Sequence, residues 1–184
     1  MGDDRVLIVY GGRFGQSEKI ASAMRATLTE KGLPSDLVPL TPKTAPDPST
    51  HSALLLVTSV RYGHFDRNAY RLLERNRTWL ENHPTQLVTV SLTARKPEKR
   101  DPQEHSYTRK FLAKSGWKGS VAVVAGSLLY PQYNIFDRLV IQFIMRITDG
   151  PTDPSQTIEY TDWEQVEKVA TNFADTILSG NPGR

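Results

Sequence analysis

An open, doubly wound α/β domain built on five parallel strands is the fold this sequence predicts, and three observations carry the expectation. Short runs of strand formers alternate with amphipathic segments of helical length along nearly the whole chain. One of those runs, Ala53–Thr58, is almost continuously apolar, as a central parallel strand buried on both faces must be. The first run, Val6–Tyr10, ends in a glycine-rich turn that leads directly into a helix.

The elements follow in order. Val6–Tyr10 is the first strand, and the helix after it places Ile20, Ala23, Met24 and Leu28 on one face before stopping at Gly32. Ser35–Leu40 is the second strand. Pro42, Pro46 and Pro48 make Thr41–Thr50 a loop. The third strand, Ala53–Thr58, opens into the polar and aromatic loop Ser59–His64. Asp66 or Asn68 caps a helix whose apolar face runs through Leu72 and Leu73 to Trp79 and Leu80. Gln86–Ser91 is the fourth strand and leads to a basic loop, Ala94–Pro102. A short helix fits Gln103–Lys114, and Ser120–Ala125 is the fifth strand. Thr161 and Glu164 have the spacing of a capping box ahead of a last helix with Trp163, Val166, Val169, Ala170, Phe173 and Ile177 on one face. The tail, Gly180–Arg184, is expected to fray.

The segment Leu128–Glu159 is too long for an ordinary connection and reads as an insertion into an already complete sheet. Within it, Ile135–Ile147 carries polar side chains only at Asp137, Arg138, Gln142 and Arg146. As a helix it rises roughly 20 Å, short of the ~30 Å hydrocarbon core of a bilayer. Its wide apolar face therefore suits a membrane interface, with burial against the domain or in a homo-oligomer as the other readings.

The turn Gly11-Gly12-Arg13-Phe14-Gly15-Gln16-Ser17 is where an α/β protein holds an anion, because backbone N–H groups and the helix N-terminus converge there. Arg13, Gln16 and Ser17 can add side-chain donors. No Gly-x-x-x-x-Gly-Lys-Ser/Thr motif is present, and the glycine spacing and second strand do not match a dinucleotide fingerprint. A single terminal phosphate remains, as in a mononucleotide such as FMN.

At 184 residues the chain fits one domain, 1–184, and its charged and apolar fractions are those of an ordinary globular protein. The absence of cysteine excludes disulfides, thiolate metal sites and a cysteine nucleophile, so redox chemistry must come from a bound cofactor. His51, His64, His83 and His105 lack the spacing of a metal cluster, and no metal is expected. No signal stretch or membrane span is legible, which points to the cytoplasm. Residues 91–118 carry eight Lys/Arg against three Asp/Glu, whereas residues 119–178 carry three against eight. The basic stretch reads as a surface for an acidic substrate or anionic lipid, and the acidic charge that follows argues against a nucleic-acid stripe.

Several motifs resemble one known family. They are Arg13-x-Gly15-Gln16-Ser17, Arg61-Tyr62-Gly63-His64, Ala94–Arg100, Ser106-Tyr107-x-Arg109-Lys110-Phe111, Tyr130-Pro131, Asp137-Arg138 and Tyr160–Glu164. Together they resemble the bacterial quinone-dependent protoporphyrinogen IX oxidases, small flavodoxin-like enzymes, over about Val6 to Ile177. The resemblance implies a flavodoxin-like sheet of order 2-1-3-4-5 with a helical insertion, binding one FMN. It also implies oxidation of protoporphyrinogen IX to protoporphyrin IX in haem biosynthesis. Electrons would pass in pairs to a membrane quinone, menaquinone or ubiquinone, from a protein peripheral to the inner membrane of a bacterium. A flavodoxin-type electron carrier and an inactive flavin-binding paralogue are the alternatives. Carriers are typically acidic, unlike residues 91–118, whereas Gly11 and Gly12 replace the family's usual Ser and Thr and remove two hydroxyl donors.

On this reading Gly11, Gly12, Arg13, Phe14, Gly15, Gln16 and Ser17 surround the phosphate. Ser59, Val60, Arg61, Tyr62 and Gly63 line one side of the flavin, with Tyr62 the stacking candidate. Ser91, Leu92, Thr93 and Ala94 border the other side, chiefly through backbone donors. Arg95, Lys96, Lys99 and Arg100 are candidates for the substrate's propionates or for lipid headgroups. No catalytic residue is assigned; His64 is the one histidine placed where it could exchange protons with a reduced flavin or substrate, with a plain polar surface residue as the commoner reading.

Overall fold

The strands alternate their side chains between two helical layers, and that alternation positions everything else. The computed structural model describes residues 5–44 and 46–180; the predicted fraying of the tail beyond Gly180 lies outside them. Five strands, β1 (Val6–Gly11), β2 (Ser35–Pro39), β3 (Ala53–Ser59), β4 (Thr85–Ser91) and β5 (Ser120–Ala125), form one sheet of order β2-β1-β3-β4-β5. Every pairing is parallel, with Val6 opposite both Ser35 and Ala53. Because successive side chains point to opposite faces, Val6, Ile8, Leu55, Val57, Val88 and Val90 face α1 (Gln16–Glu30) and the C-terminal helix Trp163–Leu178. Leu7, Val9, Leu54, Leu56 and Leu87 face α2 (Arg67–Arg75) and the helix Ser106–Ser115.

The predicted order and all five strands are present. The single helix expected from Leu72 to Leu80 is instead two, because α2 ends at Asn76, whose side chain donates to the Leu72 carbonyl; α3 (Arg77–Leu80) then restarts. The helix expected at Gln103 begins at Ser106 as α4 (Ser106–Ser115), because the His105 ring accepts the Thr108 N–H as its cap. The last helix is capped by Asp162, not Thr161. Thr161 instead donates its hydroxyl to Ala125 O. Trp163 stays 40% exposed, outside the core face assigned to it.

The insertion has its own architecture. A small antiparallel ladder, β6 (Ser127–Leu129) with β7 (Thr157–Glu159), brackets α5 (Ile135–Ile147); α6 (Trp163–Leu178) closes the chain. Leu128, Leu129, Tyr130, Tyr133 and Met145 form a satellite core against Phe14 and Leu92. α5 is amphipathic in an unusual sense: it buries Asp137 and Met145 while Ile135, Phe136, Leu139, Phe143 and Ile147 remain at least 60% exposed. Those exposed residues fall at i, i+4 spacing along one stripe.

Candidate functional site

One large cleft, about 1010 Å³ of empty space partly open to solvent, lies beyond the C-terminal ends of β1, β3, β4 and β5, under α5. This is where a doubly wound sheet places a ligand.

Its floor is the first loop. Gly15 at φ 82° caps α1 without a side-chain hydrogen bond, whereas α2, α4, α5 and α6 are each capped by a side chain. The helix end at the floor of the cleft is thus left open to an anion. Ser17 lines the cleft, and its hydroxyl is buried without a partner. Gly12 makes that placement possible, since a Cβ there would stand 2.7 Å from Ser17 Oγ and 3.1 Å from Ser59 Oγ. Gln16 is not a free donor. Its amide nitrogen donates to Glu159 and Thr161 and its oxygen accepts from Ser127, which ties α1 to the β6–β7 ladder. Gly11 and Gly15 shape the loop without lining the cleft, while Arg13 and Phe14 reach its rim.

The wall after β3 is a tight turn. Arg61 and His64 exchange both backbone hydrogen bonds, at 2.8 and 2.9 Å, around Tyr62 (φ 49°) and Gly63 (φ 77°). Two residues at positive φ are what a two-residue hairpin of this hand requires. Gly63 has a second reason, because a Cβ would approach Tyr107 Cε1 to 3.0 Å. Ser59, Val60, Arg61, Tyr62 and Gly63 all line the cleft; His64 is exposed and does not. The Arg61 guanidinium sits 4.8 Å above the Tyr62 ring, whose hydroxyl is buried without a partner.

Beyond β4, Ser91, Leu92 and Thr93 line the cleft and Ala94 is buried behind them. The four predicted substrate cations do not reach it. Arg95 turns inward to Leu92 O and to Thr148 at the end of α5, and Arg100 binds Ala94 O and pairs with Asp162 at 3.0 Å. Both guanidiniums hold the loop to its neighbours, and Lys96 and Lys99 stand outside the cleft.

The fourth wall was not assigned from sequence. Leu129, Tyr133, Ile141 and Ile144 make an apolar face, and Asp137 is its one charge. Asp137 is 1% exposed and lies between two guanidiniums, Arg61 at 2.9 Å and Arg13 at 3.3 Å, so a single carboxylate joins α5 to the first and third loops. Phe14 packs edge-on against Tyr133 at 4.8 Å. The Asp137-Arg138 motif falls on this wall, but in the sequence it carried only a family resemblance and no site assignment; the β6–β7 ladder had no signal beyond a short apolar run. Among the described residues no cluster of His, Asp and Glu could hold a metal.

The fold and this cleft define a flavodoxin-type domain, and a family model described as the flavodoxin domain matches residues 7–155. The protoporphyrinogen IX dehydrogenase [quinone] of Escherichia coli (strain K12) is 38% identical over 171 residues, covering 92% of this chain and 94% of that protein. The Leishmania major protein of the same name is 36% identical over 180 residues, 97% of this chain and 78% of the relative. A Streptococcus pneumoniae flavodoxin superposes with a TM-score of 0.55 at 15% identity over 95% of this chain and 98% of its own, a likeness of fold alone. The chain belongs to the flavodoxin family and, within it, to the quinone-type protoporphyrinogen IX dehydrogenases.

Proposed function

We propose that this protein is an FMN-dependent oxidoreductase that converts protoporphyrinogen IX to protoporphyrin IX and passes the electrons in pairs to a membrane quinone, as a step of haem biosynthesis. The observation that carries the cofactor is the first loop: an α1 N-terminus without a side-chain cap and a buried, unpartnered Ser17 hydroxyl facing the cleft. Both want an anion acceptor, and a flavin's terminal phosphate supplies one. The names of the relatives carry the substrate and the acceptor.

When bound, the flavin supplies a two-electron carrier between substrate and quinone. The chain's own residues bind and shield. Gly12 and Ser17 would hold the phosphate, and Ser91 and Tyr62, which line the cleft from the loops after β4 and β3, would hold the ring. Leu129, Tyr133, Ile141 and Ile144 present an apolar wall that excludes water and suits a large, flat, apolar substrate or a quinone head. Arg13 and Arg61 are the guanidiniums at the rim, and they replace Arg95 and Arg100 as the groups nearest a substrate carboxylate.

The exposed stripe of α5 is the proposed membrane contact. No helix among the described residues is long and apolar enough to cross a bilayer, but five large apolar side chains on one helical face suit an interfacial position. The experiment that tests the function is anaerobic addition of protoporphyrinogen IX to FMN-loaded protein, following the flavin's visible absorbance. Bleaching that a quinone reverses is the expected result. A flavin that binds but stays oxidised would leave an electron carrier or an inactive paralogue.

A further inference from the structure

Behind the β4 wall lies a histidine that the function above does not use. His105 is 2% exposed and hydrogen-bonded at both ring nitrogens. Nδ1 accepts the Thr108 backbone N–H at 3.2 Å, the bond that caps α4, and meets the Thr108 hydroxyl at 2.7 Å. A nitrogen that accepts an N–H carries no proton of its own. The neutral ring is therefore the Nε2–H tautomer. Burial, with Lys99 nearby as a smaller contribution, lowers its pKa below 6.5 and keeps it neutral.

That tautomer leaves the Thr93 hydroxyl hydrogen free for the next bond. His105 Nε2–H donates to Thr93 Oγ1 at 3.0 Å. Thr93 Oγ1 keeps a second lone pair and lies 2.9 Å from Ser91 Oγ, so either hydroxyl can donate to the other. Ser91 Oγ also accepts the Thr93 backbone N–H at 3.3 Å. When Thr93 donates, the acceptor capacity of Ser91 is filled and its own hydrogen has no protein acceptor among the described residues. Ser91 lines the cleft. An acceptor in the cleft selects that arrangement, because only then does every hydroxyl hydrogen of the chain His105 → Thr93 → Ser91 find a partner.

We propose that His105 is a positioning residue which, through Thr93, makes Ser91 a hydrogen-bond donor to an acceptor atom of the bound cofactor, a ring carbonyl oxygen or an unprotonated ring nitrogen of the flavin. The inference rests on the flavin reading above for its ligand, but the tautomer and the hydrogen-bond contacts belong to the protein alone. In the other tautomer Nε2 would accept from Thr93 and Thr93 from Ser91, and the Ser91 hydrogen would be engaged inside the protein. The helix cap supplies the polarity, so α4 and the cofactor wall are linked through one imidazole.

Two measurements test it. The first is ¹⁵N NMR of the histidine rings in the unliganded protein, with His105→Asn used to assign the signal; Nε2–H is expected, and Nδ1–H would overturn the proposal. The second is FMN affinity, visible spectrum and midpoint potential across His105→Asn, Thr93→Val, Thr93→Ser and Ser91→Ala. Asn keeps an α4 cap but does not reach Thr93, so the cap and the donor chain are separated. Losing one oriented hydrogen bond is worth roughly 0.5–1.5 kcal/mol, so FMN should bind about 2- to 12-fold more weakly in the Asn, Val and Ala variants. The potential and spectrum should shift with it, the effects should not add, and Thr93→Ser should restore wild-type behaviour. If Ser91→Ala acts while His105→Asn and Thr93→Val leave affinity and potential unchanged, His105 is only a helix cap. Failure of the wild-type protein to take up FMN would overturn the cofactor reading instead, and the NMR result would then decide the donor chain by itself.

Discussion

The cleft has two kinds of wall. The loops after β1, β3 and β4 are polar, glycine-bearing and set by backbone geometry: Gly12 and Gly63 are present because Ser17 and Tyr107 occupy the space a side chain would take. The α5 wall is apolar and set by side chains, joined to the loops through one carboxylate, Asp137, through two ring pairs, Phe14 with Tyr133 and Tyr62 with Phe136, and through the Arg95 bonds to Thr148. The loop walls recognise a cofactor by where donors point. The insertion wall recognises by shape and dryness, and its far side faces solvent with the same apolar character. One helix thus shows an apolar face to the cleft and another outward, a suitable arrangement for bringing a membrane-dissolved partner to a bound cofactor.

The sharpest way to break that comparison is to make the outer face of α5 polar while leaving its inner face alone. Phe136 and Phe143 are 68% and 64% exposed. Transfer of each phenyl from water is worth about 1.5–3 kcal/mol, so Phe136→Ser with Phe143→Ser should weaken binding to anionic vesicles on the order of 100-fold or more in a flotation assay. The urea midpoint should move little, because neither ring belongs to a core cluster and Phe136 meets the domain through one edge-on contact with Tyr62. Unchanged vesicle binding would remove the membrane from the proposal.

Cutting the connection between the walls comes next. Asp137→Ala removes a buried carboxylate that pairs with Arg13 and Arg61 and supplies negative charge in the first turn of α5. Both arginines are nearly half exposed and regain water, so the expected loss is about 2 kcal/mol, the scale of hydrogen bonds to charged groups. Urea denaturation should show it, and limited proteolysis should cut first within the insertion. Asp137→Asn keeps an acceptor for Arg61 and should lose less. On the loop side, Gly63→Ala forces an L-residue to remain at φ 77° with its Cβ against Tyr107. A cost of about 1–2 kcal/mol follows from the left-handed backbone, with FMN affinity falling as the Arg61–His64 turn shifts.

The same division explains what was legible in the sequence. The strands and the loops that follow them were readable because continuous apolar runs, glycines and polar strand ends are local signals, whereas the strand order came with the resemblance to a known family. The long insertion and its helix were readable as an interruption of a finished pattern. Asp137 as a partner of Arg13 and Arg61 was not, since those pairings join residues 124 and 76 positions apart and follow only from how α5 docks. The placement of Arg95 and Arg100 was not legible for the converse reason. A basic loop reads as solvent-facing charge, but here the guanidiniums turn in to meet Thr148 and Asp162, groups that approach only in the folded chain. His64 attracted notice beside a conspicuous motif, whereas His105, in an ordinary helix start, is the histidine wired to the cleft.

The smallest effect separates the two sides by pH. His105 titrates below 6.5 in the fold because burial disfavours its charged form, and near 6.5 when unfolded. Between those values the unfolded chain binds more protons, so stability rises with pH through that window and is flat above 6.5. A protonated ring also cannot accept the Thr108 N–H, so the α4 cap is lost in the same range. Asp36 behaves with the same sign at a lower pH. The Arg5 side-chain hydrogen bond, with His51 a smaller contribution, holds it at about 2 against an ordinary 3.8, so its contribution is complete above 3.8 and fades as pH falls toward 2. Its carboxylate is 42% exposed, and solvent screening keeps that step small. Urea midpoints followed downward from neutral pH should therefore fall in two stages. His105→Asn should abolish the first and leave the second, since Asn caps α4 without titrating. If the variant retains both, the loss near neutrality belongs to another group and the β4 wall is not held by the neutral imidazole.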